Sequence, residues 1–508
     1  MKTKYIFKFA AMAAVTVIAT SCSDDFLEVT PPDAATTDEY FSTADHIKEY
    51  LVATYSPMRN YDWNNSQYAP LNLCADVMAD DIWVGGSSIA DNKHLHLMAN
   101  YASTENSSDC LTGIWDQSYK GIRNANDMMY YLEEAKSAGN IDDDTCNTYL
   151  AEGKVLRAFY YNQLWKYYGN IPYYTVNFTN NYDATQLTAD EVYENVITDL
   201  EEALSSEALP MQWDDDNLGR VSQAMGYMLY AEMVMYQNDE SRYAKALSYM
   251  QEIINSGKYS LVSDYSTIFE ESGEWNSESI WEICYKDDNG IRSWNDGYIN
   301  AGGTILPRLI SPADYDKTDG VDAGWGFGPI RQECYDMFDE SDARRDATVY
   351  VATGSYTKRY QDTGLWLKKY LAYTENNKDQ LADGDLNFNN NLRMYRYSET
   401  LLNAAELLVR TNGDLSEAQE YLNEVHHRAG LTDNLAANID NIINERHLEF
   451  VGEGKRYWDL VRTGKAETTL VPDEYGYRTN TWTSSKKYLP IPLSEIDASN
   501  GTLKQNNY

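Results

Sequence analysis

The sequence predicts a mainly α-helical fold: helical hairpins of tetratricopeptide-like size, interrupted by a loop-rich insertion with a few short strands. Three observations predict it. Apolar residues in several stretches recur at spacings of three and four, which places them on one helix face. These stretches come in pairs joined by short polar links. Between about 258 and 392 the helical periodicity fades into sequence rich in Gly, Asn, Asp and aromatics.

The N-terminus comes first. Lys2, Lys4 and Lys8 form a basic start, and Phe9 to Ala19 is an apolar run of eleven residues with one Thr. A bilayer span needs roughly 20 residues, so residues 1–21 have the layout of a secretory signal instead. Ala19-Thr20-Ser21-Cys22 leads small residues into a cysteine, which resembles a bacterial lipobox with Cys22 as the lipidated first residue of the mature chain. Ser23-Asp24-Asp25 resembles the acidic signal that sends such lipoproteins to the cell surface. Residues 22–40, with Pro31-Pro32 and several Thr and Asp, read as an extended tether. The body, 41–508, reads as a single domain. Loss of residues 1–21 removes three Lys and no acid, so the net charge moves from −38 to −41.

Within the body, Ala224, Tyr227, Met228, Ala231, Val234 and Met235 share one helix face. Tyr243, Ala246, Leu247, Met250, Ile253 and Ile254 share another, closed by Gly257. Joined by Gln237 to Ser241, they make one hairpin. Residues 148–168 with 189–204 make a second, and 395–411 with 415–429 a third. Each hairpin needs a neighbour to cover its apolar stripe, so the hairpins should stack. In the insertion, Glu278 to Ile283 alternates as a strand would, while Gly302-Gly303 and Gly324 to Pro329 read as loops. Loops on a rigid frame are where recognition tends to sit.

Composition excludes some functions. Asp and Glu outnumber Lys and Arg by 79 to 41, which argues against nucleic acid and against adsorption to anionic lipid; any membrane attachment would be through the lipid anchor. A neutral ligand such as a sugar feels no such repulsion. Glu445, Glu449 and Glu453 lie four apart, and paired acids are what glycoside hydrolysis uses. Arg446, Arg456 and Arg462 share that segment, however, which points to ion pairs. His94 and His96 would point the same way on a strand, but no third ligand supports a metal. Cys74, Cys110, Cys146, Cys284 and Cys334 contain no C-x-x-C pair and read as small core residues. There is no G-x-S-x-G and no phosphate loop. The chain does not read as an enzyme, and no cofactor or metal is expected.

Four blocks carry a family resemblance. They are CSDDFLEVTPP at 22–32, AEGKVLRAFYYNQLWKYYGNIPYYT at 151–175, NERHLEFVGEGKRYWDLVRTGK at 444–465 and YLPIPLSEIDASNGTLKQNNY at 488–508. In order and spacing the chain resembles the RagB/SusD family of outer-membrane lipoproteins. Asn170 and Gly501-Thr502 depart from its usual pattern. The resemblance implies four tetratricopeptide-like units forming a right-handed scaffold, and a binding face made largely of loops. It also implies capture of a glycan at the cell surface for a SusC-like TonB-dependent transporter in the outer membrane, with peptide as the alternative ligand.

A flat aromatic covers the C–H face of a sugar while polar side chains meet its hydroxyls. Trp115, Trp165, Trp281 and Trp458 read as core. Trp63, Trp83, Trp275, Trp294, Trp325 and Trp366 lie in polar, Gly- or Asn-rich segments. The family's binding aromatics come from an early loop and the central insertion, which singles out Trp83, Trp294 and Trp325. Tyr298 follows Trp294 by one helical turn, and Arg292, Asn295 and Asp296 are nearby partners for hydroxyls. Asp81, beside Asp80 in an expected loop, could cap a helix, meet a sugar hydroxyl or face solvent.

Overall fold

The computed structural model describes residues 40–508 apart from 65–66, 107–108, 180, 289–290, 295–301 and 317–318. Cys22 and the rest of the tether through residue 39, with Asn295, Asp296 and Tyr298, lie outside the described residues. The helices used below are α1 (Ala44–Tyr55), α2 (Leu71–Met78), α3 (Lys93–Ala99), α4 (Gly113–Ser137), α5 (Asp143–Tyr168) and α6 (Ala189–Ser205). They continue with α7 (Gln223–Gln237), α8 (Tyr243–Asn255), α9 (Tyr397–Arg410), α10 (Leu415–Arg428), α11 (Ile439–Glu449) and α12 (Arg456–Arg462).

Local chemistry starts these helices. Asp142 accepts from Thr145 N–H at the head of α5, Ser222 from Met225 N–H at α7, and Asp414 from Ser416 N–H at α10. Thr188 and Glu191 close a reciprocal capping box on α6, satisfying two donors the first turn would leave unpaired. Packing then runs along the chain: α1 on α4, α4 on α5, α5 on α6, α6 on α7, α7 on α8, α8 on α9 and α9 on α10. The stack is the predicted helical scaffold. One large core runs through it, from Ile47 to Leu503.

Two boundaries differ from expectation. The neighbour most extensively packed on α5 is α4, which the periodic pairs did not reveal because it is rich in Asn, Asp and Tyr. Gly121 allows its close approach, since a Cβ there would lie 2.3 Å from the Tyr160 ring. The expected helix from 395 instead begins at Tyr397, because Leu392–Arg396 is a strand, β8, antiparallel to Ser279–Ile283, β5. Tyr397 N–H donates to Glu278 O at 2.8 Å, fixing that switch. All five residues of β5 are buried, so both of its faces are covered.

The remaining pairs are β1 (Trp63–Asn64) with β2 (Gln67–Tyr68), β3 (Ile171–Pro172) with β4 (Gln186–Leu187), and β6 (Val349–Val351) with β7 (Leu365–Leu367). A knot of buried charges ties the insertion to the scaffold. Arg396 binds Glu453 through Nε and Nη2, each at 2.8 Å, and Glu449 at 2.9 Å. Arg344 adds a bond to Glu445 at 2.6 Å, Arg428 one to Glu278 at 2.7 Å, and Lys369 one to Glu453 at 2.7 Å. The cysteines Cys74, Cys110, Cys146, Cys284 and Cys334 are all free thiols, and only Cys284 among them is not fully buried.

Candidate functional site

Three chain segments meet at an aromatic ledge. The β1–β2 hairpin places Trp63 directly opposite Tyr68. Trp294 and Trp325 come from two separate segments of the insertion. The Trp294 and Trp325 rings stack 6.0 Å apart at 22°. Trp63 meets Trp294 edge-on at 5.1 Å and 80°, and Tyr68 leans on Trp325 at 5.5 Å and 55°. Trp63 is buried, whereas Trp294, Trp325 and Tyr68 are half-buried. The inner indole thus backs the outer pair, leaving partly open ring surface beside water.

The backbone holds these rings in place. Trp294 N–H donates to Asp383 Oδ2 at 2.9 Å. Trp325 N–H donates to Arg308 O at 2.8 Å, and its carbonyl accepts from Arg359 Nη1 at 3.2 Å. Gly324 is needed just before it, since a Cβ there would sit 2.2 Å from Ser311 O. Polar groups rim the ledge. Arg308 Nε pairs with Asp385 at 2.7 Å, and Asn92 Oδ1 accepts from Tyr68 N–H. Burial, then the nearby Asp91 and Asp385 charges, pushes the Tyr68 phenol up to about 12, so its hydroxyl stays protonated.

Arg292 is a support and not a contact residue, contrary to expectation. It is 2% exposed and grips Asp62 with two 2.8 Å bonds. Asp62 also accepts from Thr304 Oγ1 at 2.9 Å and Ile305 N–H at 2.8 Å. The guanidinium lies 5.5 Å from the Trp63 ring centre, so this pair clamps the Trp294 loop against the hairpin from behind. Four donors converging on one carboxylate make a rigid joint.

Two further expectations fail for the same reason, burial. Asp81 is 1% exposed and faces His447 Nε2 at 2.6 Å. Trp83 is 4% exposed, covered by the Arg331 guanidinium 3.5 Å from its ring centre and flanked by Tyr477. Neither belongs to the ledge. Trp366 is likewise sealed, within a small second core beside Tyr315, Val321 and Leu371. His94 and His96 lie on α3 and not on a strand, and His94 Nε2 turns instead to Tyr68 O at 3.1 Å. Trp63 and Tyr68 were not on the shortlist of contact residues. Their signal is the polar turn Asn64-Asn65-Ser66 with aromatics near both ends, a hairpin pattern.

Other constellations are structural. Asp80, Asp81 and His447 bring possible metal-ligand atoms within 4.8 Å of one another. Arg456, however, takes both Asp80 oxygens, at 2.9 and 3.0 Å. Burial pushes Asp80 up, but the Arg456 bond and the His447 charge outweigh it and hold the carboxyl at about 2. That is an ion-pair set. Glu449 is buried, which alone would raise its pKa, yet Arg428, Arg396 and Arg344 hold it far below the usual carboxylate range. A carboxylate so held has no proton to give, so it is unsuited to general-acid work.

Known proteins match over nearly the whole chain. Residues 349–508 fit the model described as the SusD family, and 25–235 fit one described as starch-binding associating with the outer membrane. The surface glycan-binding protein A from Bacteroides thetaiotaomicron, solved in complex with laminarihexaose, is 53% identical. It covers 92% of this chain and 100% of that one, with a TM-score of 0.88. The chain belongs to the SusD family. The surface glycan-binding protein A from Bacteroides uniformis is 46% identical to this chain, with 92% and 100% coverage and a TM-score of 0.84. A laminarin-binding SusD-like protein is 27% identical, with 91% and 99% coverage and a TM-score of 0.80.

Proposed function

We propose that this SusD-family protein captures a β-1,3-linked glucan on its aromatic ledge and passes it to a TonB-dependent outer-membrane transporter. The observation carrying the proposal is the stacked, half-open Trp294–Trp325 pair with polar groups at its rim. Ring stacking suits the C–H faces of glucose, and Asp383, Asp385 and Arg308 suit its hydroxyls. The laminarihexaose and laminarin named for two relatives supply the linkage. Peptide capture is the weaker reading, because relatives of this chain are named for laminarihexaose and laminarin.

In this proposal residues 1–21 are removed, Cys22 carries the lipid, 22–40 is the tether and 41–508 is one binding domain. The protein binds without catalysis, since the acids Glu445, Glu449 and Glu453 are committed to guanidinium and ammonium partners. Electrophoresis through native gels containing laminarin should retard the protein, while gels containing α-linked starch should not. Equal retardation by both would defeat the linkage assignment. Labelled palmitate should enter the wild-type chain and not Cys22→Ser.

A further inference from the structure

Trp83 does not join the ledge, but it lines a separate cavity of about 230 Å³. That volume equals roughly eight waters, enough for one six-membered sugar ring. The same pairing of segments that ends in Trp325 carries Trp83 there, through bridges between Ile82 and Ile330 and between Gly85 and Phe327. Aromatic rings form the walls. Tyr360 sits 5.6 Å from His96 and 5.4 Å from Tyr477, and Tyr477 sits 5.2 Å from Trp83.

Two lining side chains carry unmatched polar atoms. His96 Nε2 and Arg331 Nε are buried without a hydrogen-bond partner among the described residues, and each side chain belongs to a residue only 7% exposed. A buried group left so costs about 1–3 kcal/mol, a cost that a bound hydroxyl would relieve. Burial, outweighing the nearby Gly85 backbone and Asp91 charge, pushes the His96 ring down to about 4, so it meets a ligand uncharged.

Among the described residues no carboxylate lines the cavity. Lys93 pairs with Asp109 at 2.8 Å, and Arg478 Nε donates to the Ala99 carbonyl at 2.9 Å, while burial and the neighbouring Arg478 charge push Arg331 down to about 10 despite Asp80 and Asp81. Aromatic rings beside unmatched donors describe a polyol site. We propose that this cavity is a second carbohydrate site holding a single pyranose residue. Tyr360 and Tyr477 would face its C–H surfaces, while His96 Nε2 and Arg331 Nε meet its hydroxyls.

The test removes the ledge first. Purified Trp294→Ala/Trp325→Ala protein is titrated with methyl β-D-glucoside and followed by saturation-transfer NMR. Transfer should persist. Adding Ala90→Trp, which fills the cavity from an exposed lining position, or Tyr360→Ala should weaken it at least tenfold with Tm unchanged. Absent transfer in the ledge-less protein, or transfer untouched by either cavity substitution, overturns the proposal. Failure of the ledge reading looks different: Trp294→Ala/Trp325→Ala would then bind laminarihexaose like wild type.

Discussion

Replacing Arg292 by Met should damage both stability and glycan affinity, though Arg292 touches no ligand. The substitution keeps the side chain's length and apolar stem but deletes two 2.8 Å bonds to Asp62, along with bonds to Gly303 O and Trp63 O. Breaking one side of a buried ion pair costs about 3–5 kcal/mol, because the stranded charge stays buried. Here Thr304 Oγ1 and Ile305 N–H still reach Asp62, so the lower end, about 3 kcal/mol, is expected. The Trp294 loop would also lose its clamp against the hairpin. Misaligning one stacked ring should remove about 1 kcal/mol of binding, a roughly fivefold rise in Kd. Thermal melting with calorimetric titration of laminarihexaose reads both. A variant with wild-type Tm and wild-type affinity would refute the assignment of Arg292 as the joint beneath the ledge.

Three further outcomes follow from the buried charges and the core. Glu449→Gln should cost about 3–5 kcal/mol by stranding Arg344, Arg396 and Arg428, read as a large loss in urea midpoint; a near-neutral result would contradict the charge knot. His426 is held above its ordinary pKa chiefly by its bond to Glu445 and also by Asp433. Its contribution is therefore present below pH 6.5 and lost as pH rises through the folded value. The Tm gap between wild type and His426→Asn should shrink from pH 6 to pH 9, and a widening gap would reverse the sign. Trp165→Ala should cost about 3–5 kcal/mol, because the ring is fully buried between Tyr193 and Tyr236; glycan affinity of the surviving folded fraction should be unchanged.

The scaffold was legible because amphipathic period and capping chemistry are local. The hairpin of α7 and α8 follows directly from Ala224 to Ile254. Helix α4 was missed because Asn124, Asn126 and Asp127 blur its apolar stripe, and its burial depends on Tyr160 packing over Gly121. The ledge was legible in part. Trp294 and Trp325 stand out as large rings in polar loops. Trp83 has the same sequence surroundings but is buried, because Arg331, far along the chain, lies flat on its ring. Arg292 and Asp81 were misread for a similar reason. A charged residue in a loop looks available until a distant partner, Asp62 or His447, is brought against it by the fold. Long-range pairing is a property of topology, and no local pattern carries it.

Calorimetric titration of laminarihexaose into wild-type and Trp294→Ala/Trp325→Ala protein tests the glucan-capture ledge most directly. Two stacking rings at about 1 kcal/mol each predict at least a roughly 30-fold loss of affinity, with Tm within a few degrees of wild type. Undiminished binding by the doubly substituted protein would contradict the account.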